Sequence, residues 1–234
     1  MTDRGAALVT GASRGIGAAV AQRLASLGWP VMLLGRDPEA LAAAAKACEE
    51  HCNPVQWLAG DLADDGFMRE AVARTQAELG TVDVLVNNAG VAVMQPVQKA
   101  DLAAWRHLMK INYDCAVFLA NAVLPSMLER ETGAIINISS ISGRNTGAGS
   151  AAYSASKHAL NGFSGCLFED VREHGVKVSS VMPGFVATDL TQGLGLEESR
   201  MIRASDVADC VEFILATSPH CCPTEIVLRP QLSL

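Results

Sequence analysis

Three side chains in the second half of the chain could together move a proton. Tyr153 and Lys157 are four residues apart in a stretch with helical periodicity, so both project from one helix face about one turn apart. A free tyrosine has a pKa of about 10, and a neighbouring ammonium favours the phenolate and lowers that value. Ser140, at the end of an apolar run, could hydrogen-bond a carbonyl oxygen and orient it toward Tyr153. These residues predict acid–base chemistry on a carbonyl or an alcohol.

A glycine-rich turn near the N-terminus has the composition of a phosphate site. Gly11, Gly15 and Gly17 follow an apolar run and open a helix-compatible stretch. Such a turn lies where a strand passes into a helix N-terminus, whose unpaired N–H groups attract phosphate. Gly11 permits the tight turn, Gly15 lets the backbone approach a phosphate, and Gly17 lets the helix lie close on the strand. The spacing predicts a dinucleotide site.

Short apolar runs that alternate with longer helix-period segments must position both groups. Seven runs are predicted to be strands: 6–10, 31–34, 55–59, 84–87, 134–139, 176–182 and 226–228. Alternation on this scale implies right-handed crossovers and ligands at the carboxyl ends of the strands. We therefore expect an α/β Rossmann fold, a doubly wound seven-stranded parallel sheet with helices on both faces, built as a single domain over residues 1–234.

The order of these motifs along the whole chain resembles the short-chain dehydrogenase/reductase family. Besides the glycine turn and the pair Tyr153 and Lys157, the resemblance rests on residues 87–90 (Asn-Asn-Ala-Gly), Asn112 and residues 183–184 (Pro-Gly). It implies hydride transfer between the nicotinamide C4 and a carbonyl carbon, with Tyr153 exchanging the proton and the charge of the oxidised ring also favouring the phenolate. Asn112 matches the family residue that holds a water against the lysine.

Cofactor preference is predicted from the residues that follow the second strand. NAD-using members commonly carry an acidic residue where this chain has Gly35, and Arg36 comes next. Its guanidinium and that of Arg14 could grip a 2′-phosphate through charge-assisted hydrogen bonds, so NADP(H) is predicted over NAD(H). If both arginines are ordinary surface charges, the preference disappears.

The resemblance places further residues around the cofactor. Asp61 and Leu62 match the adenine contact, and Asn88 matches the adenosine side, although it could equally tie strand ends together by hydrogen bonds to the backbone. Thr188 resembles a contact beside the nicotinamide carboxamide. The full predicted cofactor set is Gly11, Ser13, Arg14, Gly15, Ile16, Gly17, Arg36, Asp61, Leu62, Asn88, Ala89, Gly90, Tyr153, Lys157, Pro183, Gly184, Val186 and Thr188.

The substrate side is less defined. Ser140, Met94 and Phe185 are predicted to contact substrate, and the aperiodic residues 189–203, which include two glycines, are a candidate lid. Further candidates, which could equally be loop fillers, are Val93, Ser142, Arg144, Asn145, Leu190 and Met201.

An NADPH-dependent carbonyl reductase is the leading expectation, and 3-oxoacyl-[acyl-carrier-protein] reduction is the alternative. The alternative is weakened because Glu131 and His174 stand where such reductases tend to carry arginine, and an acidic carrier needs basic docking residues. Residues 225–230 also resemble the sepiapterin-reductase-like and carbonyl reductase branches more closely. A non-catalytic NADP-binding scaffold or sensor is a third, separate class.

Composition excludes some partners. The formal net charge is −7, which argues against nucleic acid. No uninterrupted apolar run reaches the length of a membrane span, and no signal-peptide pattern follows Met1, so a cytoplasmic protein without a membrane partner is expected. The long helical patterns 102–128 and 152–173 carry apolar residues on more than one face, which predicts a homodimer or homotetramer unless these faces are buried within one chain.

The seven cysteines are predicted to be reduced core thiols, with no metal site. Cys48, His51 and Cys52 would share a helix face, and Cys221 and Cys222 follow His220. Neither group has the paired spacing of a zinc site.

Overall fold

Strands and helices alternate along the chain, and the computed structural model describes residues 4–51 and 54–233. The strands are β1 (Ala6–Thr10), β2 (Val31–Gly35), β3 (Val55–Ala59), β4 (Val82–Asn87), β5 (Gly133–Ile138), β6 (Val176–Pro183) and β7 (Glu225–Leu228). The α-helices are α1 (Gly15–Ser26), α2 (Pro38–Glu49), α3 (Asp65–Leu79), α4 (Leu102–Met109), α5 (Cys115–Glu129), α6 (Ala151–Val171) and α7 (Ala204–Ala216). All seven predicted strands are present, and their ends differ from the predicted ones by at most two residues.

The seven strands form one parallel sheet in the order β3-β2-β1-β4-β5-β6-β7. The direction of winding reverses between β1 and β4, so the carboxyl ends of these neighbours form the crevice in which doubly wound sheets bind ligands. Helices cover both faces, and the predicted fold class is confirmed.

Each face of the sheet has its own apolar core. One core joins α1, α2 and α7 to alternate strand residues such as Val9 and Leu33, and the other joins α3, α5 and α6 to Leu8 and Leu34. Since successive side chains of a strand point to opposite faces, both sets in β1 and β2 are buried. This explains why the strands read as continuous apolar runs rather than alternating ones.

The long helical pattern predicted over 102–128 is interrupted. After α4 comes a π-helical turn, Lys110–Asp114, before α5 begins at Cys115. A π-turn inserts one extra residue into the helical repeat without changing composition, so the apolar pattern could not reveal it. Asn112 lies in this turn.

The same stretch, Leu102–Glu129, is long enough to span a membrane and contains an 18-residue window with a mean hydropathy of 1.3. Its α5 part packs against α3, α6, β4 and β5, and a core helix of a globular protein has the same composition. Within it Leu119 and Val123 are buried in the chain's own core, as is Leu167 of α6. These apolar residues are thus used inside one chain, and the predicted oligomer stays a prediction.

Residues 189–203, the candidate lid, are anchored at both ends. Val186 and Ile202 form a parallel bridge, and the Thr191 hydroxyl donates to the Val186 carbonyl at 2.7 Å. Between these anchors the chain is largely exposed and makes two short 3₁₀ turns, Asp189–Thr191 and Glu198–Arg200. The segment therefore has a fixed base and an exposed middle.

Candidate active site

A cleft of 470 Å³ lies at the carboxyl ends of the strands. Its walls are the residues that follow β1 to β6, so it crosses the reversal point between β1 and β4. Most predicted cofactor residues line it: Gly11, Ser13, Arg14, Gly15, Ile16, Arg36, Asp61, Leu62, Asn88, Ala89, Gly90, Tyr153, Lys157, Pro183, Gly184, Val186 and Thr188. Gly17 lies outside the wall.

The glycine turn has the geometry that its spacing predicts. Gly11 (φ 62°) and Gly15 (φ 58°) adopt the left-handed region, which disfavours residues with a Cβ. Gly17 is needed for packing, since a Cβ there would lie 2.2 Å from the Gly11 carbonyl oxygen and 2.5 Å from Asn88 Nδ2. Helix α1 therefore sits tightly against the end of β1.

The N-terminus of α1 remains available to an anion. Asp37 caps α2 with its side chain, and Asp64 does the same for α3. The N-cap residue of α1 is Arg14, and a guanidinium has no acceptor with which to cap N–H groups. Because Gly15 and Ile16 of this first turn line the cleft, the site fits the phosphates of a dinucleotide.

Asn88 holds the glycine turn to the end of β4. Its Nδ2 donates to the Thr10 carbonyl (3.0 Å) and the Gly11 carbonyl (3.1 Å). The Thr10 hydroxyl accepts from the backbone N–H groups of Asn88 and Ala89, both at 3.0 Å. Asn88 thus links the ends of β1 and β4 by hydrogen bonds, and it also lines the cleft.

The two arginines at the cleft differ in their partners. Gly35 is buried, and a Cβ there would lie 3.3 Å from a Leu41 methyl carbon, while Arg36 is exposed. No ion pair or side-chain hydrogen bond involves Arg36 in residues 4–51 and 54–233. Arg14 instead pairs with Asp189, Nη1 to Oδ2, at 3.0 Å. Both arginines line the cleft, and the guanidinium of Arg14 already has a carboxylate partner.

Lys157 occupies the buried end of the cleft. Its ammonium donates to the Ile138 carbonyl at 2.9 Å and lies 5.9 Å from the centroid of the Tyr153 ring. A Cβ on Gly90 would come within 3.7 Å of Nζ, so this glycine borders the ammonium closely. Burial disfavours the charged form and lowers the pKa of Lys157 to about 8.

Tyr153 differs from the expectation. Burial raises its pKa above the ordinary value, and a hydrogen bond with Ser140 lowers it in part. No lowering by Lys157 is found in the protein without cofactor, because the loss of hydration of the phenolate outweighs the hydrogen bond from Ser140. Tyr153 keeps its proton at neutral pH, which is the form that a proton donor requires.

Asn112 does not line the cleft but lies buried behind it. Its Oδ1 accepts from the Val91 N–H (2.8 Å), and its Nδ2 donates to the Val91 carbonyl (2.9 Å) and to Ser156 Oγ (3.0 Å). Ser156 in turn donates to the Tyr153 carbonyl at 2.7 Å. The amide of Asn112 thus clamps the segment after β4 to the helix that carries Tyr153. The water-holding role implied by the family resemblance stays a prediction.

Comparison with known proteins gives the family. The model of the short chain dehydrogenase family matches residues 5–199. The chain belongs to this family. An uncharacterised oxidoreductase of Staphylococcus saprophyticus is 36% identical over 225 residues, 96% of each chain. Another from Staphylococcus epidermidis is 30% identical over 224 residues, again 96% of each.

Solved structures of family members have the same fold. A metagenomic short-chain oxidoreductase in complex with NADP is 36% identical, with a TM-score of 0.85 over 98% of both chains. A serine dehydrogenase in its closed form with NADP+ is 29% identical, with a TM-score of 0.87 over 95% of this chain and 93% of that one. A single-residue variant of actinorhodin polyketide ketoreductase with NADPH is 28% identical, with a TM-score of 0.89 over 98% of this chain and 96% of that one. These similarities confirm that the chain is an oxidoreductase of the short-chain dehydrogenase family.

Two residues predicted to contact substrate lie outside the cleft wall. Met94 is 60% exposed and Phe185 is 41% exposed. Arg144 forms an ion pair with Glu225 and also lies outside the wall. Leu190 does line the cleft. Periodicity and family pattern do not determine where loop side chains point, which explains these differences.

Several wall residues were not predicted. They are Val91, Ala92, Ile111, Ile138 and Ser139, and Asp189 and Thr191 were expected only as part of the candidate lid. Each lies within one to three positions of a residue that was predicted, so the ends of the motifs, extended outward, would have found them. Ser156 lies between Tyr153 and Lys157, yet its partner Asn112 is 44 positions away along the chain.

The cysteines and histidines form no metal cluster in the part of the chain that the structure describes. Cys48 and Cys115 are buried, whereas Cys166 and Cys221 are exposed. The predicted group that includes Cys52 falls partly outside the described residues. The expected absence of a metal stays a prediction.

Proposed function

We propose that this family member is an NADP(H)-dependent oxidoreductase that interconverts a ketone and an alcohol, acting as a carbonyl reductase. The observation that carries the proposal is the half-buried Tyr153, hydrogen-bonded to Ser140, at one end of a cleft whose other end carries the glycine turn and two arginines. A proton donor and a dinucleotide site in one cleft are the two parts that carbonyl reduction needs.

The preference for NADP(H) rests on the adenosine end of the cleft. Gly35 leaves no carboxylate where a 2′-phosphate would be repelled, and Arg14 and Arg36 line the wall beside it. All three solved structures described above are complexes with NADP, NADP+ or NADPH. The bare glycine turn would accept either nucleotide, so the arginines support the distinction.

The bound cofactor supplies the hydride that the carbonyl carbon receives, or accepts it from an alcohol. Ser140 orients the substrate oxygen, and Tyr153 gives that oxygen its proton. Lys157, fixed by the Ile138 carbonyl, places a positive charge near the phenol ring that favours the phenolate once the proton has left. Asn112 and Ser156 keep the helix of Tyr153 in register with the segment after β4.

A second candidate is 3-oxoacyl reduction. The similarity to a polyketide ketoreductase, with its TM-score of 0.89, favours it. Against it, Glu131 and His174 remain where a carrier-docking surface would need arginine, and both are exposed. Turnover of 3-oxoacyl thioesters with no turnover of small ketones would make this the function. Tight NADPH binding with no turnover on any carbonyl would support the scaffold alternative.

The test is NADPH oxidation followed by absorbance over a panel of diketones, pteridines, steroids and 3-oxoacyl thioesters. Tyr153→Phe is expected to lower kcat by ~10³-fold or more while NADPH still binds, because the variant keeps the ring and loses the proton. The matched control is Tyr113→Phe, since the ring of Tyr113 packs edge-to-face on Phe163 at 6.2 Å and does not line the cleft. Equal activity of the two variants would refute the assignment of Tyr153.

We also propose a cytoplasmic homodimer or homotetramer in which α5 and α6 contact a second copy. Phe118, Phe163 and Phe168 support this, because they are only partly buried where they pack against the core. Light scattering that gives the mass of one chain at micromolar concentration would contradict it.

A further inference from the structure

The ion pair between Arg14 and Asp189 spans two walls of the cleft. Arg14 is the N-cap residue of α1, and Asp189 begins the 3₁₀ turn at the base of residues 189–203. The two segments also touch beside this pair, since a Cβ on Gly15 would lie 3.2 Å from the Thr188 methyl carbon. The carboxylate therefore stands next to the helix end that an anion would occupy.

Asp189 is held in this place by its own turn. One oxygen, Oδ2, faces Arg14, and the other, Oδ1, accepts from Gln192 Nε2 at 3.2 Å. The turn behind it is fixed because the Thr191 hydroxyl lies 2.7 and 2.8 Å from the Val186 and Thr188 carbonyl oxygens, which share its single proton. A negative charge thus has a defined position beside one of the two arginines at the cleft.

A phosphate that approaches Arg14 must compete with this carboxylate. The guanidinium can bind the carboxylate and a phosphate together only if they share its five N–H donors. Each anion then weakens the attraction of the guanidinium for the other. Arg36 has no such competitor among the described residues. The two arginines therefore differ in how much of their charge is available to a bound nucleotide.

We infer that Asp189 sets the degree to which the cleft prefers a 2′-phosphorylated nucleotide, by holding Arg14 in an ion pair that the 2′-phosphate must replace. The inference rests on the proposed NADP(H) site and adds a residue that limits its selectivity. Asp189 acts through Arg14, and therefore it is a specificity-determining residue rather than a catalytic one.

The expected size of the effect follows from exposure. The side chains of Arg14 and Asp189 are 70% and 51% exposed. Exposed pairs are weak and are screened by salt, so removal of the competitor should change affinity by about two- to fivefold at low ionic strength, and by less at high ionic strength.

The experiment measures the Kd of NADP+ and of NAD+ by calorimetry for the wild type and for Asp189→Asn. The variant keeps the oxygen that Gln192 contacts and loses the charge. We expect NADP+ to bind about two- to fivefold more tightly and NAD+ to tighten by a clearly smaller factor, since NAD+ brings only the pyrophosphate near the removed charge. The control is Asp170→Asn on the exposed face of α6, which changes net charge equally and should alter neither Kd.

A double-variant cycle with Arg14→Gln separates competition from general repulsion. In the Arg14→Gln background Asp189→Asn should no longer change the ratio of the two Kd values. Equal tightening for both nucleotides, no change, or weaker binding of NADP+ in Asp189→Asn would each overturn the inference. All these are binding measurements. If the protein binds NADP+ but reduces no carbonyl, the proposed reductase function is refuted and the inference about Asp189 still stands. If the wild-type protein does not bind NADP+, both the proposed function and the inference are refuted.

Discussion

The two ends of the cleft are built in opposite ways. At the catalytic end Lys157, Ser140 and Asn112 are all buried, and neighbouring backbone groups fix the polar atoms of Lys157 and Asn112. At the adenosine end Arg14 and Arg36 are exposed, and one of them already has an acidic partner. Chemistry at the first end depends on pKa values set by burial, whereas selectivity at the second depends on charges that water and salt weaken. Substitutions should therefore have large effects at the first end and small, salt-dependent effects at the second.

After Tyr153→Phe, the largest effect is expected at Ser140. Ser140→Ala should lower kcat by ~10²–10³-fold, because it removes the hydroxyl that orients the substrate oxygen. The same hydroxyl lowers the pKa of Tyr153, so its loss raises that pKa further. Reduction needs the protonated phenol and is lost as pH rises through the Tyr153 pKa, so its alkaline limb should move to higher pH. Alcohol oxidation needs the phenolate and should fall by the larger factor.

The control for this prediction is the neighbouring serine. Ser139→Ala removes a hydroxyl that bonds the Lys157 carbonyl at 3.4 Å and has no part in the titration of Tyr153. Its pH profile should stay in place. A shift of similar size in both variants would mean that the turn after β5, rather than the Ser140 hydroxyl, sets the pKa.

A stability effect is expected at Lys157. Its pKa is about 8 in the fold against 10.5 for the free side chain, so the unfolded chain binds more protons between these values. Burial of the charge thus destabilises the fold fully below pH 8, and stability recovers as pH rises from about 8 toward 10.5. Lys157→Met should abolish turnover and raise the free energy of unfolding at pH 7 by about 1–3 kcal/mol.

Urea denaturation at several pH values measures this effect. The gain of Lys157→Met over the wild type should shrink as pH rises through the window from about 8 to 10.5. A variant less stable than the wild type at pH 7 would mean that the hydrogen bond to the Ile138 carbonyl outweighs the cost of the buried charge.

Smaller effects are expected at the exposed end, where the effect of Arg36→Gln should still exceed the change of about two- to fivefold expected for Asp189→Asn. Arg36→Gln should weaken NADP+ binding by ~10-fold at low salt and leave NAD+ binding nearly unchanged, because only NADP+ carries the 2′-phosphate. The difference should decrease as salt is added. Arg106→Gln, an exposed arginine of α4 away from the cleft, serves as the charge-matched control. Equal weakening of both nucleotides would place Arg36 elsewhere than at the 2′-phosphate.

The same contrast explains what the sequence could reveal. Strands buried on both faces leave continuous apolar runs, and backbone approach demands glycine at 11, 15 and 17, so the fold and the phosphate turn could be predicted. Tyr153 and Lys157 share one helix, so their spacing alone places them together.

Contacts between distant segments leave no local pattern. The clamp of Val91 by Asn112 depends on a π-turn that composition does not record. The pairing of Arg14 with Asp189 joins residues 175 positions apart. The raised pKa of Tyr153 follows from the depth of burial, which depends on the packing of the whole chain.

The parallel bridge between Val186 and Ile202 bears on how this chain could change over generations. Because this bridge joins both ends of the intervening segment, its exposed middle, with Gly193 and Gly195 in left-handed conformations, can be lengthened, shortened or exchanged. Closing a longer loop between fixed ends costs little. New substrate contacts can therefore be grafted onto residues 192–198 while the cofactor turn and the proton donor keep their positions.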